Sequence, residues 1–425
     1  MNGSGRPWPA WAMGLSLTLC TLGLHLCPGM NSMLNIDSGL YPLNGRTINA
    51  DYLGVNLEFH RMEPAFARRP FTTWIIEGLD GISGMGEAPA FIVTQFTLLF
   101  ISGLLLYRLV RSLGRPRREA LLAMAAYHLS FTVLNGWFPP IYCYDEPLQY
   151  SALFLALEAC IRRRWAWFTV SFTFALCVRE SSLLLLPAFF LFFSDGAWRP
   201  RRWGTRSGFV RASAFALPVL LFALFLAAYV RYLGGQDLLR SDVAGRSGLF
   251  ELNFADPPTT VETLVYFYLA LGLPSAILLA MDGTQGRSGT LDPPYRGAFL
   301  LAVLLNTIVV LFCTKAREAR LFALPLVFVW PFLGGILVNG KELLRLDRLR
   351  SMFARWQYVV VFVLIFGLLA LFVDRGWELG DGNASGNLWH EYFLVQSGVI
   401  LLHLMGKHWA RRHPTNASLV TDRSR

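Results

Sequence analysis

Residues 165–193 read WAWFTVSFTFALCVRESSLLLLPAFFLFF, and the way this stretch folds decides the topology of the whole chain. As a single helix of about 29 residues it would run roughly 43 Å, too long for one untilted crossing of about 30 Å of hydrocarbon. It would also bury Arg179 and Glu180 at about 3 kcal/mol each. As a tight hairpin it lifts both charges to one rim and leaves the basic clusters Arg162–Arg164 and Arg199–Arg206 together on the other side. The hairpin is the reading adopted.

Working outward, the chain has 425 residues, 54% hydrophobic and only 16% charged. Soluble domains carry about a quarter charged residues, so this balance belongs to a polytopic membrane protein. The net charge of +10 lies in short clusters between apolar runs, which marks cytoplasmic loops and argues against nucleic acid as a partner. Runs long enough to cross lie near 11–28, 88–109, 119–135, 148–161, 165–178, 181–196, 210–232, 262–281, 297–313, 321–339, 356–374 and 391–406. The expected fold is therefore an all-α polytopic membrane protein with about 12 transmembrane helices, forming one transmembrane domain over 1–425. Placing the basic clusters inside makes both termini cytoplasmic, with a cytoplasmic tail at 407–425. It puts the loops 29–87, 135–148, 233–262 and 375–391 outside. The first run, with no small-x-small cleavage site behind it, reads as an uncleaved span rather than a secretory signal. The six cysteines show no metal-ligand spacing, and most lie in apolar runs, where a cysteine acts as a small hydrophobe.

Ionisable groups gathered at a membrane face from several spans are functional candidates. The first outer loop carries Asp37, Asp51, Glu58, His60, Arg61, Glu63, Arg68, Arg69 and Glu77. Its second half, with Pro70 suited to a first helical turn and Trp74, Ile75 and Ile76 following, reads as a helix lying in the interface. The second outer loop, NGWFPPIYCYDEPLQY over 135–150, combines Trp137 and Tyr144 with Asp145 and Glu146. Later come Arg179-Glu180, and then Lys315, Arg317, Glu318 and Arg320. RESSLLLLP (179–187) and REARLFALP (317–325) repeat one pattern with the same Arg-to-Pro spacing.

These residue types suit group transfer from a phosphate leaving group. A carboxylate takes the proton of an acceptor hydroxyl, and arginines hold the phosphate through paired N–H donors. Aromatic rings could stack on a sugar, although aromatic belts also line membrane interfaces without any ligand. His60, near Glu58 and Glu63, reads as a solvated histidine, so no metal site is assigned. A divalent cation on Asp145 and Glu146 is the one cofactor left open.

The acidic residue soon after the first span, the Asp145-Glu146-Pro147 loop and the arginines at the outer ends of later spans resemble the GT-C superfamily of integral membrane glycosyltransferases. That resemblance implies a polyprenyl-phosphate sugar donor used on the extracytoplasmic side, with inversion and a first-loop carboxylate as base. It makes Asp37 the candidate base, with Asp51 next, and Asp145 or Glu146 a second catalytic acid or metal ligand. Arg68, Arg69, Arg179, Glu180, Lys315, Arg317, Arg320, Tyr144 and Trp137 become candidates for substrate binding. The implied partners are the lipid bilayer, the lipid-linked donor and a glycan, lipid or protein acceptor, and the implied location is a bacterial inner (plasma) membrane. Asp37 stands alone, where such enzymes often carry an acidic pair. A secondary transporter and a polysaccharide polymerase or ligase are the alternatives. Transporters place charge near the membrane midplane, whereas here it collects at the rim.

Overall fold

The turn at Arg179 forms as a reversal of the chain. Phe168 and Phe172, on the helix before it, meet the ring of Phe189 at 5.5 and 5.3 Å. Residues 168 and 189 lie nearly equidistant from the break, so the two legs run antiparallel. Arg179 itself is extended, with φ −159° and ψ 116°, and the Ser182 hydroxyl donates back to the Ala175 carbonyl at 3.2 Å.

The computed structural model describes residues 9–25, 50–137, 143–192, 206–233, 248–280, 293–343, 346–374 and 389–412. The first half of the chain comprises α1 (Ala10–His25), α2 (Ala50–Met62), α3 (Pro64–Ala67), α4 (Pro70–Ser83), α5 (Glu87–Ser112), α6 (Arg117–His128), α7 (Phe131–Gly136), α8 (Glu146–Ile161), α9 (Trp165–Val178) and α10 (Leu186–Phe190). There follow α11 (Arg206–Leu233), α12 (Leu249–Asn253), α13 (Pro257–Ala280), α14 (Pro293–Cys313), α15 (Ala319–Phe322), α16 (Trp330–Leu343), α17 (Leu346–Phe353), α18 (Trp356–Asp374) and α19 (Trp389–Arg412). Short 3-10 turns at Glu180–Leu185 and Leu324–Phe328 precede α10 and α16. There is no strand among the described residues.

Among the described residues each of the twelve apolar runs contains α-helix. Four helices are long and apolar enough on their own to cross a membrane: Glu87–Ser112, Phe209–Tyr232, Pro294–Cys313 and Trp356–Val373. Two runs are broken internally. The run 119–135 divides where α6 ends and Ser130 caps α7 by accepting from the Val133 N–H at 3.3 Å. The run 321–339 starts as the four-residue α15 and a 3-10 turn before α16 begins. In both copies of the repeat the proline sits in the first turn of a new helical piece, where its missing N–H costs nothing.

Helices α5, α6, α8 and α16 build the core around Tyr127, whose ring meets Trp137, Phe154 and Trp330 edge-on at 5.4 to 5.7 Å. Helices α6 and α16 approach so closely that a Cβ on Gly334 would lie 1.7 Å from the Glu119 carbonyl oxygen. Helix α4 starts at Pro70 as expected and stops at Gly84, whose φ of +63° is the left-handed cap that glycine adopts without strain. It buries Thr72, Thr73 and Ile76 and exposes Trp74, Ile75 and Ile82, the two-faced pattern of an interfacial helix.

The two ends of the bundle are fastened differently. At one end Glu158 of α8 is ion-paired with Arg108 of α5 and with Arg162, both at 3.1 Å. At the other, the first loop closes over the start of α8, with the hydroxyls of Thr73 and Tyr144 2.8 Å apart. Arg61 of α2 ties that loop together by donating to Glu77 at 2.9 Å, Glu87 at 2.8 Å and Glu58 at 3.3 Å.

Candidate active site

Over the start of α8, charged groups from four separate parts of the chain converge. Arg179, in the hairpin turn, donates to Oε1 of Glu146. Arg320, on α15, donates to the same oxygen at 2.7 Å and through Nε to Glu318. Glu180, the next residue in the turn, accepts from Arg69 at 2.7 and 2.5 Å and from Arg68 at 2.8 Å. Arg179 lies within electrostatic reach of both Arg320 and Arg69, so the two groups of ion pairs form one cluster.

The sequence builds this cluster from backbone that is not helical. Glu146 occupies the first turn of α8, ahead of Pro147, with Asp145 as N-cap residue. Arg179 sits at the extended break, and Arg320 follows the non-helical segment Thr314–Glu318. Asn253 of α12 anchors that segment. Its side-chain amide donates to the Leu311 and Thr314 carbonyls at 2.9 and 2.8 Å, and its oxygen accepts from the Ala316 N–H at 2.9 Å.

Several polar atoms in the cluster are buried and make no hydrogen bond among the described residues: Oε2 of Glu146, Oδ1 of Asp145 and Nε of Arg179. Burial is the largest influence on Asp145 and pushes its carboxyl up to about 7, assisted by Glu146 and opposed by Arg69, Thr72 and Arg179. Burial would raise Glu146 as well, but Arg179 and Arg320 outweigh it and hold that carboxyl down at about 2. Two adjacent carboxyl groups are thus driven in opposite directions by their neighbours, a pattern concentrated at functional sites.

Of the residues singled out from sequence, Asp145, Glu146, Arg179, Glu180, Arg320, Arg68 and Arg69 come together. Arg317 lies beside them, directed instead at Glu262 (3.6 Å) and the Thr259 hydroxyl (3.3 Å). Lys315 is exposed. Trp137 is fully buried against Tyr127 and Tyr150, and Tyr144 is buried with its ring stacked 3.8 Å from that of His60. Asp37 lies outside the described residues. Asp51 belongs to α2, and its side chain is likewise outside them.

Two features were missed. Cys143 passed as one more small hydrophobe, although it stands two residues before Asp145 in a polar, aromatic loop, which was the available signal. His60 is buried, not solvated. Helical periodicity explains this, because Leu53, Asn56, Leu57 and His60 share the inner face of α2 while Glu58 and Arg61 share the outer one.

Residues 64–225 match the family model described as dolichyl-phosphate-mannose-protein mannosyltransferase, a GT-C family of membrane glycosyltransferases. The matched stretch contains Arg68, Arg69, Asp145, Glu146, Arg179 and Glu180. No curated protein and no solved structure matches the chain. The apolar helices mark an integral membrane protein, and the match, which covers less than half of the chain, makes residues 64–225 similar to membrane glycosyltransferases of the GT-C type.

Proposed function

We propose that the protein transfers a sugar from a polyprenyl-phosphate donor to an acceptor hydroxyl on the extracytoplasmic side, with inversion. A dolichyl-type phosphate mannose, as in the matched family's description, is the first donor to test. The observation that carries this reading is the convergence of Arg68, Arg69, Arg179 and Arg320 on buried carboxylates at one end of the bundle.

A guanidinium fork pairs with phosphate as readily as with carboxylate, and in a buried site its hydrogen bonds are strong. In the free protein Glu146 and Glu180 hold the arginines in place. Donor phosphate then takes over part of their donor capacity, including the unused Nε of Arg179. The acceptor oxygen attacks the anomeric carbon as the carbon–oxygen bond to phosphate breaks. The hydroxyl proton passes to a carboxylate, and polyprenyl phosphate departs with its charge held by the arginines. Asp37 is the base in this scheme, with Asp51 second. Asp145 and Glu146 organise the site, and a single displacement gives inversion.

The test is release of polyprenyl phosphate from a synthetic polyprenyl-phosphate mannose by the purified protein. Asp37→Asn should abolish release. Full activity in both Asp37→Asn and Asp145→Asn would remove the assigned site. Uptake of a soluble solute into proteoliposomes without any lipid-linked donor would replace the reading with transport.

A further inference from the structure

We propose that His60, Cys143 and Asp145 form a buried metal site for a zinc-like ion, pinning the first loop onto the start of α8. One ligand atom from each residue lies within 4.8 Å of the other two, and all three side chains are buried. Neither acidic partner once considered for His60 takes part, since Glu58 binds Arg61 on the outer face of α2. Glu146 is also excluded from ligation on its Oε1, which Arg179 and Arg320 occupy.

Three observations favour a metal. The first is donor chemistry. A set of imidazole nitrogen, thiolate sulfur and carboxylate oxygen suits zinc and its borderline-soft neighbours, whereas magnesium and calcium take oxygen ligands. The second is charge. Neutral imidazole, one thiolate and one carboxylate sum to −2, so a divalent ion gives a neutral site in a buried place where an unbalanced charge is costly. The third is an orphaned ligand atom. Oδ1 of Asp145 is buried and accepts no hydrogen bond among the described residues, and such an atom calls for an ion or water.

The His60 ring is also held in place, between Tyr144 at 3.8 Å and Phe66 at 4.7 Å between ring centres. Three protein ligands leave the fourth tetrahedral position for water or a further group. The ion would join α2 to the residue immediately before Glu146, and so fix the pivot of the arginine cluster. This inference does not rest on the transferase reading, because metal uptake is read without turnover.

Purified full-length protein, stripped with chelator and titrated with Co2+, should take up one equivalent and develop sulfur-to-cobalt charge-transfer absorption that Zn2+ then displaces. Cys143→Ser should remove the band. His60→Ala should bind at least about tenfold more weakly, since even outer-shell partners of metal ligands cost that much. Cys160→Ser, which alters a buried cysteine of α8, should leave uptake unchanged. If Cys143→Ser fails to fold, the wild-type chain answers the question by alkylation and peptide mapping. Zn2+ should protect Cys143 and leave the exposed Cys20 as reactive as before. No cobalt uptake by folded wild-type protein, a band that survives Cys143→Ser, or no protection of Cys143 would each overturn the site.

Discussion

At the scale of single residues, Glu146 is the pivot. Two guanidinium groups share its Oε1, and it is almost wholly enclosed. Removing one partner of a buried ion pair strands the other charge, at a cost of about 3–5 kcal/mol. Glu146→Gln is therefore expected to lower stability by about that amount, measured as thermal unfolding in detergent. Glu180→Gln should cost less, because the Glu180 side chain keeps 27% of its exposure and water can screen what remains. Arg179→Lys separates binding from folding. It keeps the charge but loses the planar fork, so the protein should stay folded while kcat/KM for the lipid-linked donor falls about 100-fold. A lysine variant with full activity would show that Arg179 is structural only. Sequence alone brought out Asp145, Glu146, Arg179 and Arg320, because an ionisable group between apolar runs stands out. It could not say which groups pair. The repeat aligns Arg179 with Arg317, yet Arg320, three residues on, is the one that reaches Glu146. The rotation of a four-residue helix makes that choice, and composition carries no trace of it.

At the scale of elements, the site depends on where helices stop. Apolar length made the helices legible, and the charge penalty made the hairpin legible. The breaks at Leu129–Ser130 and at the 3-10 turn Leu324–Phe328 were not, because apolar residues fill a helix and an irregular buried turn equally well. The irregular backbone must have its polar groups satisfied where no water reaches. Asn253 does this for Leu311, Thr314 and Ala316, and it lies in the stretch 233–262, which the sequence marks only as an outer loop. Asn253→Ala removes three hydrogen bonds at a buried site. Leaving these carbonyls and this amide unpaired should cost about 1–3 kcal/mol. The segment that carries Arg317 and Arg320 should loosen with it, so donor KM should rise more than kcat falls. An unchanged KM in a destabilised protein would confine Asn253 to a structural role.

At the scale of the whole molecule, the arrangement is polar from end to end. Helix α5, with 26 residues, spans about 39 Å and runs parallel to α8, since Arg108 near its end pairs with Glu158 near the end of α8. The charge cluster and the first loop gather at the opposite end, with the non-helical segment Thr314–Glu318 leading into Arg320 there. Arg163, in the turn that follows α8, lies at the Glu158 end, and because the chain reverses at Arg179 the leg that carries Phe189 runs back toward that end. Orientation then turns on the positive charge, from which that end is expected to face the cytoplasm. Added cysteines in a background with Cys20, Cys27 and Cys313 changed to Ser, which leaves only the buried Cys143, Cys160 and Cys177, test the whole scheme. Met85→Cys, beside the start of α5, should react with a membrane-impermeant maleimide on intact cells. Arg118→Cys and Arg163→Cys, both at exposed positions, should react only after the membrane is opened. If Arg163→Cys were labelled from outside while Arg118→Cys stayed protected, α8 would not run parallel to α5 and the common rim of the site would fail. If all three reversed together, the bundle would stand and only its direction would change. The arginine cluster would then face the cytoplasm, and an extracytoplasmic transfer reaction would be ruled out.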